Sequence, residues 1–107
     1  MTRFESVLHM FNSFSFPVEF DHVTGGKLVP FAVYTYSMPN IGADNKIYLK
    51  SIQFMLRVFV EKLDAKIDKE IEDAFENNDI AWNREEPTYI DDAALYEIDY
   101  SFGIISE

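Results

Sequence analysis

The clearest alternation of apolar and polar residues lies near the C-terminal end of the chain. Every second residue there is aromatic or aliphatic, and the residues between them are acidic or small. The apolar positions are Tyr96, Ile98, Tyr100, Phe102 and Ile104. A period of two residues is typical of a strand with one buried face. The pattern therefore predicts a strand over residues 94–104.

Two earlier segments also predict strands. Residues 31–37 are rich in β-branched and aromatic side chains, and residues 47–60 alternate between two sets of largely apolar positions. One set in the second segment includes Leu56, and the other includes Arg57 and Phe59. Because neither set is purely polar, we expect residues 47–60 to form a central strand or an oligomer contact.

Helical spacing appears twice. Thr2 and Glu5 stand at the spacing of a capping box, and apolar residues then recur on one helical face, which predicts a helix over residues 2–13. A second apolar stripe, beginning at Leu63 and Ile67, predicts a helix over residues 64–77. Residues 77–79 (Asn-Asn-Asp) tolerate the left-handed conformation that ends a helix.

These elements predict a fold of the α+β class. We expect residues 1–107 to form a single small domain, with a mostly antiparallel sheet of about four strands and two main helices packed on it. The length of 107 residues is that of one domain. The segment 14–30 is predicted to be a short strand or an ordered arm followed by a turn.

Charge is distributed unevenly along the chain. The formal net charge is −10, but residues 1–60 carry +1 and residues 61–107 carry −11. A negative field repels phosphate, so we expect no gripping of nucleic acid by the second half. A plain solvated acidic surface is the simplest interpretation.

Candidate catalytic and metal chemistry is sparse. The chain has no cysteine, which excludes thiolate catalysis and cysteine-rich zinc sites. Residues 24–27 (Thr-Gly-Gly-Lys) lack the earlier glycine of a phosphate loop. His9 and His22 are not at metal-ligand spacing, and the pairs 85–86 and 91–92 point to opposite faces in an extended chain. We expect no catalytic residue, no metal and no cofactor, and therefore no enzyme.

The sequence also predicts no contact with a membrane. No run of apolar residues approaches the length that a spanning helix needs, and Glu5 and His9 interrupt the N-terminal apolar segment, which is not typical of a secretion signal. Aromatic rings, in contrast, are abundant. Those that could be partly exposed are Tyr34, Tyr36, Tyr48, Phe59, Tyr89 and Tyr96. Such rings favour protein interfaces, although some of them could equally belong to the core.

Four segments resemble a family of virion proteins. They are residues 28–34 (LVPFAVY), 43–50 (ADNKIYLK), the acidic helix 64–77 and residues 94–102 (ALYEIDYSF). In order and in character they resemble the tail terminator, or tail-to-head joining protein, of long-tailed phages and prophages of Gram-positive bacteria. A neighbouring neck component, such as a head-closure or minor capsid protein, has a similar length.

The resemblance implies a structural protein of the virion, present in the host cytoplasm during assembly. Such a protein forms a homo-oligomeric ring, expected to be a hexamer, which caps the tube of the major tail protein and receives a head-completion protein. DNA passes through the ring without specific binding, and no catalytic residue is implied. By position, Asn40, Asp44, Asn45 and Lys46 are candidate contact residues, and Phe59 joins them from the strand 47–60.

An acidic ring lining would let DNA slide, because it repels phosphates. We therefore expect part of the acidic excess to face the channel. The candidate channel-facing acids are Asp68, Glu72, Glu76, Asp91 and Asp92. The alternative function is a small acidic inhibitor that mimics DNA and occupies a basic cleft on a host nucleic-acid-binding protein. A mimic needs carboxylates in paired rows at near-phosphate spacing.

Overall fold

The structure is a computed structural model, and it describes residues 1–22, 28–38 and 50–106. Two helices and six strands occur in the order α1 (Arg3–Asn12), β1 (Val18–Phe20), β2 (Phe31–Ser37), β3 (Lys50–Val60), α2 (Ala65–Asn77), β4 (Trp82–Arg84), β5 (Thr88–Ile90) and β6 (Leu95–Ser106). Both helices begin and end within one residue of the bounds that the sequence predicts. Among the described residues, neither helix is long and apolar enough to cross a membrane.

The strands form one mixed sheet in the order β1-β2-β3-β6-β4, and β5 also pairs with β6. The β1–β2 pair is parallel, and every other pair is antiparallel. The α+β class is confirmed, but the expectation of about four strands is wrong because the sheet has six. Three of them, β1, β4 and β5, have only three residues each, which is too short for an alternating pattern to be visible.

The long antiparallel pair β3–β6 forms the centre of the sheet. Leu56 lies opposite Tyr100 and Phe54 opposite Phe102, so the even-numbered residues of both strands share one face. This face is buried beneath both helices, with Leu56 and Tyr100 fully inaccessible to solvent. The core joins it to the apolar stripes of α1 and α2, which include Phe11 and Phe75.

Local signals account for both helices. The Thr2 side chain accepts from the Glu5 amide, and the Glu5 side chain accepts from the Thr2 amide, so the expected capping box is present. In α2 the Asp64 side chain caps the first turn by accepting from the Lys66 amide. The chain leaves α2 with Asp79 in the left-handed region at a φ of 56°.

Polar contacts fix α2 to the rest of the domain. Tyr100 is fully buried, and its hydroxyl donates to Asp68 at 3.0 Å. Arg84 on β4 donates to the other oxygen of Asp68 at 3.2 Å. Nearer the middle of α2, the Glu70 carboxylate accepts from the Ser15 amide at 2.6 Å and from the Ser15 hydroxyl at 2.7 Å. Two carboxylates of α2 therefore serve contacts within the domain.

Substitution of Asp68 by alanine should destabilise the fold more than removal of the Tyr100 hydroxyl. Asp68→Ala leaves a buried hydroxyl without its acceptor and Arg84 without its partner, which costs about 1–3 kcal/mol, whereas Tyr100→Phe removes one hydrogen bond and costs about 0.5–1.5 kcal/mol. Urea unfolding followed by circular dichroism measures both. The control is Asp73→Ala, which removes the exposed ion pair with Lys69. It should lower the free energy of unfolding by about 0–1 kcal/mol. Equal effects of Asp68→Ala and Asp73→Ala would contradict the assignment.

Candidate interaction surface

The second face of the sheet has no described helix or strand over it. It consists of the odd-numbered side chains of the three long strands, and we call it the open face. Its central members are Phe31, Val33, Thr35, Gln53, Met55, Arg57, Phe59, Glu97, Asp99, Ser101 and Gly103. Antiparallel sheets commonly leave one face to solvent, and that face is then polar. The open face here mixes apolar, hydroxyl and charged groups, which is the composition of a protein contact.

Apolar side chains occupy one end of the open face. The rings of Phe31 and Phe59 stack with their centroids 5.0 Å apart. Val33, on the next rung of β2, is only 8% exposed although it lies outside the main core cluster. These residues form a small second apolar cluster on the open face.

The other end of the open face is more polar. A shallow depression of about 260 Å³ lies there, lined by Thr35, Ser37, Gln53, Met55 and Ser101 together with parts of Tyr36 and Phe54. The Gln53 side chain crosses the sheet over Gly103, where a Cβ atom would stand 2.6 Å from Gln53 Nε2. A glycine at position 103 therefore lets Gln53 lie flat against β6.

Two carboxylates and one guanidinium occupy the centre of the open face. Arg57 on β3 lies directly opposite Asp99 on β6, and Glu97 lies two residues before Asp99 on the same face. Burial, followed by the hydrogen bond and the negative charge of Glu97, raises the pKa of Asp99 to about 6, and Arg57 opposes this shift. The Asp99 Oδ1 atom is inaccessible and has no hydrogen-bond partner. Asp99 therefore keeps its proton under mildly acidic conditions.

The structure places one predicted contact residue on this surface. Phe59 lies on the open face, half-buried against Phe31. The other four predicted contact residues, Asn40, Asp44, Asn45 and Lys46, lie outside the described residues. The sequence pattern did not predict Asp99 or Glu97 as site residues. A signal was present in β6, because Ser101 and Gly103, on the same face as Asp99 and Glu97, are small.

The exposed aromatic rings that the sequence predicts are divided between surfaces. Tyr36 is 38% exposed and Tyr89 is 49% exposed. Tyr36 contacts Phe20 and Phe4 at the edge of the helix-covered face, with centroid distances of 5.5 Å and 5.1 Å. Tyr89 packs edge-on against Tyr96 at 5.0 Å, where β5 pairs with β6, on the far side of β3 and β6 from β2. These rings do not form one continuous patch.

The five candidate channel-facing acids also occupy separate places. Asp68 is the acceptor for Tyr100 and Arg84, so its charge is used within the domain. Glu72 and Glu76 lie farther along α2, and Glu76 is exposed. Asp91 and Asp92 are exposed in the turn between β5 and β6. The β6 register places this turn at the far end of the sheet from the α2 C-terminus, about 20 Å away at 3.3 Å per residue.

The outer surface of α2 is not uniformly acidic. Lys66 and Lys69 interrupt its carboxylates, and Lys69 pairs with Asp73 at 2.8 Å. Glu70 accepts from Ser15, so its carboxylate serves a contact within the domain. The paired carboxylate rows that DNA mimicry requires are therefore interrupted along this helix.

The two histidines lie apart from the open face. His9 is exposed in the last turn of α1, and His22 Nδ1 lies 3.1 Å from an Asp21 carboxylate oxygen in an exposed position. Within residues 1–22, 28–38 and 50–106, no three potential metal ligands converge. No protein-family model matches the sequence, and no curated protein sequence matches it.

The Asp99 carboxyl group should make stability depend on pH in a recognisable way. Its pKa in the folded protein, about 6, exceeds its ordinary value of 3.8, so between about pH 4 and 6 the folded state keeps a proton that the unfolded state has released. Stability is therefore lost as the pH rises through this window. Asp99→Asn does not lose stability in this way. Its free energy of unfolding, relative to that of the wild type, should therefore rise from pH 4 to 6 and then stay constant.

Urea unfolding of the wild type and of Asp99→Asn at several pH values, at a protein concentration low enough for both to be single copies, measures this difference. Asp92→Asn, in the exposed turn, is the matched control and should follow the wild type at every pH. Parallel curves for Asp99→Asn and the wild type across the window would show that Asp99 titrates normally.

Proposed function

We propose that this chain is a structural protein of the phage or prophage neck, similar to a tail terminator. Copies of it assemble into a ring, expected to contain six subunits, which caps the tail tube and joins it to the head. Its partners are other copies of itself, the major tail protein and a head-completion protein. Its place is the virion, and the host cytoplasm during assembly.

The observation that carries this proposal is the open face of the sheet. A domain of this size buries its core by covering one sheet face with two helices, which leaves the second face to contact water or another protein. The stacked rings of Phe31 and Phe59 on that face are only partly buried, and contact with another protein would remove this apolar surface from water. Contacts with other proteins are therefore the best-supported role of this surface, and the resemblance of the four sequence segments supplies the kind of assembly.

The distribution of charge supports passage of DNA rather than binding. The exposed carboxylates Glu76, Asp91 and Asp92 lie at opposite ends of the sheet. A lining that contained both groups would extend along the strand direction and repel phosphates over that whole length. Of the five candidate channel-facing acids, Asp68 supports this proposal least, because Arg84 neutralises its charge.

The proposal predicts that the purified protein binds to the ends of tail tubes. Tubes assembled from the major tail protein encoded in the same genome would be mixed with the chain and imaged by negative-stain electron microscopy. We expect a ring of density at one tube end only, and tubes of defined length when the chain is present during assembly. Bare tube ends at saturating protein, with tube lengths unchanged, would contradict the proposal.

A DNA mimic would give different results in binding experiments. It would bind a basic host protein as a monomer or dimer and would ignore tail tubes. Competition between the chain and duplex DNA for such a protein is the distinguishing measurement. The interrupted carboxylates of α2 give this alternative no specific support.

A further inference from the structure

The open face has two unlike rows of side chains side by side. On β3 the row is long or bulky, with Gln53, Met55, Arg57 and Phe59. On β6 the residues directly opposite are Gly103, Ser101, Asp99 and Glu97, which are small or acidic. Met55 and Arg57 are therefore longer than Ser101 and Asp99 beside them, whereas the Gln53 side chain lies across Gly103.

This arrangement is self-complementary about one particular axis. A two-fold axis that runs parallel to the strands, between β3 and β6, places β3 of one copy over β6 of the other. Two residues that are paired in the β3–β6 register lie at the same height along the strands. Each side chain of one copy therefore faces, in the other copy, the residue with which its own position is paired. Met55 of one copy then faces Ser101 of the other, and Gln53 faces Gly103.

One pair of charges matches under the same operation, while Glu97 of each copy faces Phe59 of the other. Arg57 and Asp99 are register partners, so Arg57 of each copy faces Asp99 of the other. Isologous interfaces require this reciprocity, in which residue i contacts j and j contacts i. Sheets that pack face to face lie about 10 Å apart, a gap that a large side chain opposite a small one can fill.

We propose that two copies of this chain pair through their open faces about this axis, with the β3 row of each copy over the β6 row of the other. The pair covers the Phe31–Phe59 stack and surrounds the Asp99–Glu97 carboxyl groups with the guanidinium of the second copy. It gives the open face an occupant that the described helices and strands do not provide.

This inference goes beyond the proposed function, because it concerns a contact that closes on itself. A two-fold pair has no free copy of the same surface left, so a larger ring built from such pairs needs a second, different contact between them. The pair and the tube-capping ring can therefore be tested separately.

The first experiment measures mass in solution. Sedimentation equilibrium or light scattering of the wild type should give twice the chain mass of 12.5 kDa, or a multiple of that pair. Arg57→Asp places a carboxylate over Asp99 in both halves of the pair and should weaken pairing by about 100-fold or more. Lys66→Asp makes the same change of charge at an exposed position of α2 and should leave the mass unchanged.

A charge exchange tests the register directly. Asp99→Arg alone should also prevent pairing, because it meets Arg57 of the other copy. Mixed in equal amounts, the Arg57→Asp and Asp99→Arg chains should pair with each other, since every facing pair is then of opposite charge. Native mass spectrometry with one chain isotopically labelled should show a pair that contains one of each.

Ser101→Arg provides a second route if Asp99→Arg does not fold. It puts a long side chain where Met55 of the other copy must lie, and circular dichroism should show that the fold is retained while the pair is lost. A wild type that remains a single copy at about 100 µM, or Arg57→Asp and Ser101→Arg chains that pair normally, would overturn the inference.

Binding of the chain to tail tubes is measured separately from the pairing of two copies. If Arg57→Asp loses the pair but still forms density at tube ends, the inference and the proposed function both stand, and the ring uses another surface. If the wild type pairs but leaves tube ends bare, the proposed function fails and the inference stands. If the wild type caps tubes and never pairs, the inference fails alone.

Discussion

The structure depends on the burial of one face of the antiparallel pair β3–β6. Its even-numbered residues, from Ile52 to Val60 and from Ile98 to Ile104, form a continuous apolar surface, and both helices lie on that surface. The two helices together have 23 residues, enough to cover one face of the sheet. Within residues 1–22, 28–38 and 50–106, no helix or strand covers the second face. The core and the candidate site are therefore opposite faces of the same two strands.

The acidic excess of the second half of the chain has two physical roles. Some carboxylates are held in place: Asp68 joins α2 to β4 and β6, and Glu70 joins it to the end of α1. The others, at Glu76 and in the turn at 91–92, are exposed and give the protein its negative field. Net charge describes only the second group, because a neutralised carboxylate contributes little at long range. Formal charge therefore overstates the long-range negative field of the protein.

On the open face, groups that raise and groups that lower the pKa of Asp99 lie close together. Arg57 lowers the pKa of Asp99, while burial and Glu97 raise it, and the net result is a carboxyl group poised near pH 6. A second protein surface that supplies a cation would favour the ionised form and satisfy the site. The cost of an acid held in a part-apolar setting is easier to explain in an interface than in an isolated domain.

The sequence by itself determined the elements whose pattern is local: the capping box at Thr2 and Glu5, both helices, and the three long strands. Their periodicity repeats over seven or more residues, so the signal survives without knowledge of neighbours. It also identified Phe59 as a contact candidate. Tertiary structure alone decided the parallel pairing of β1 with β2, the two short strands beside β6, and the meeting of Arg57 with Asp99. Three-residue strands show no period, and residues 42 positions apart in the chain become neighbours only through the register of two paired strands. The sequence lists which side chains are available, but hydrogen bonding between distant backbones decides which of them share a face.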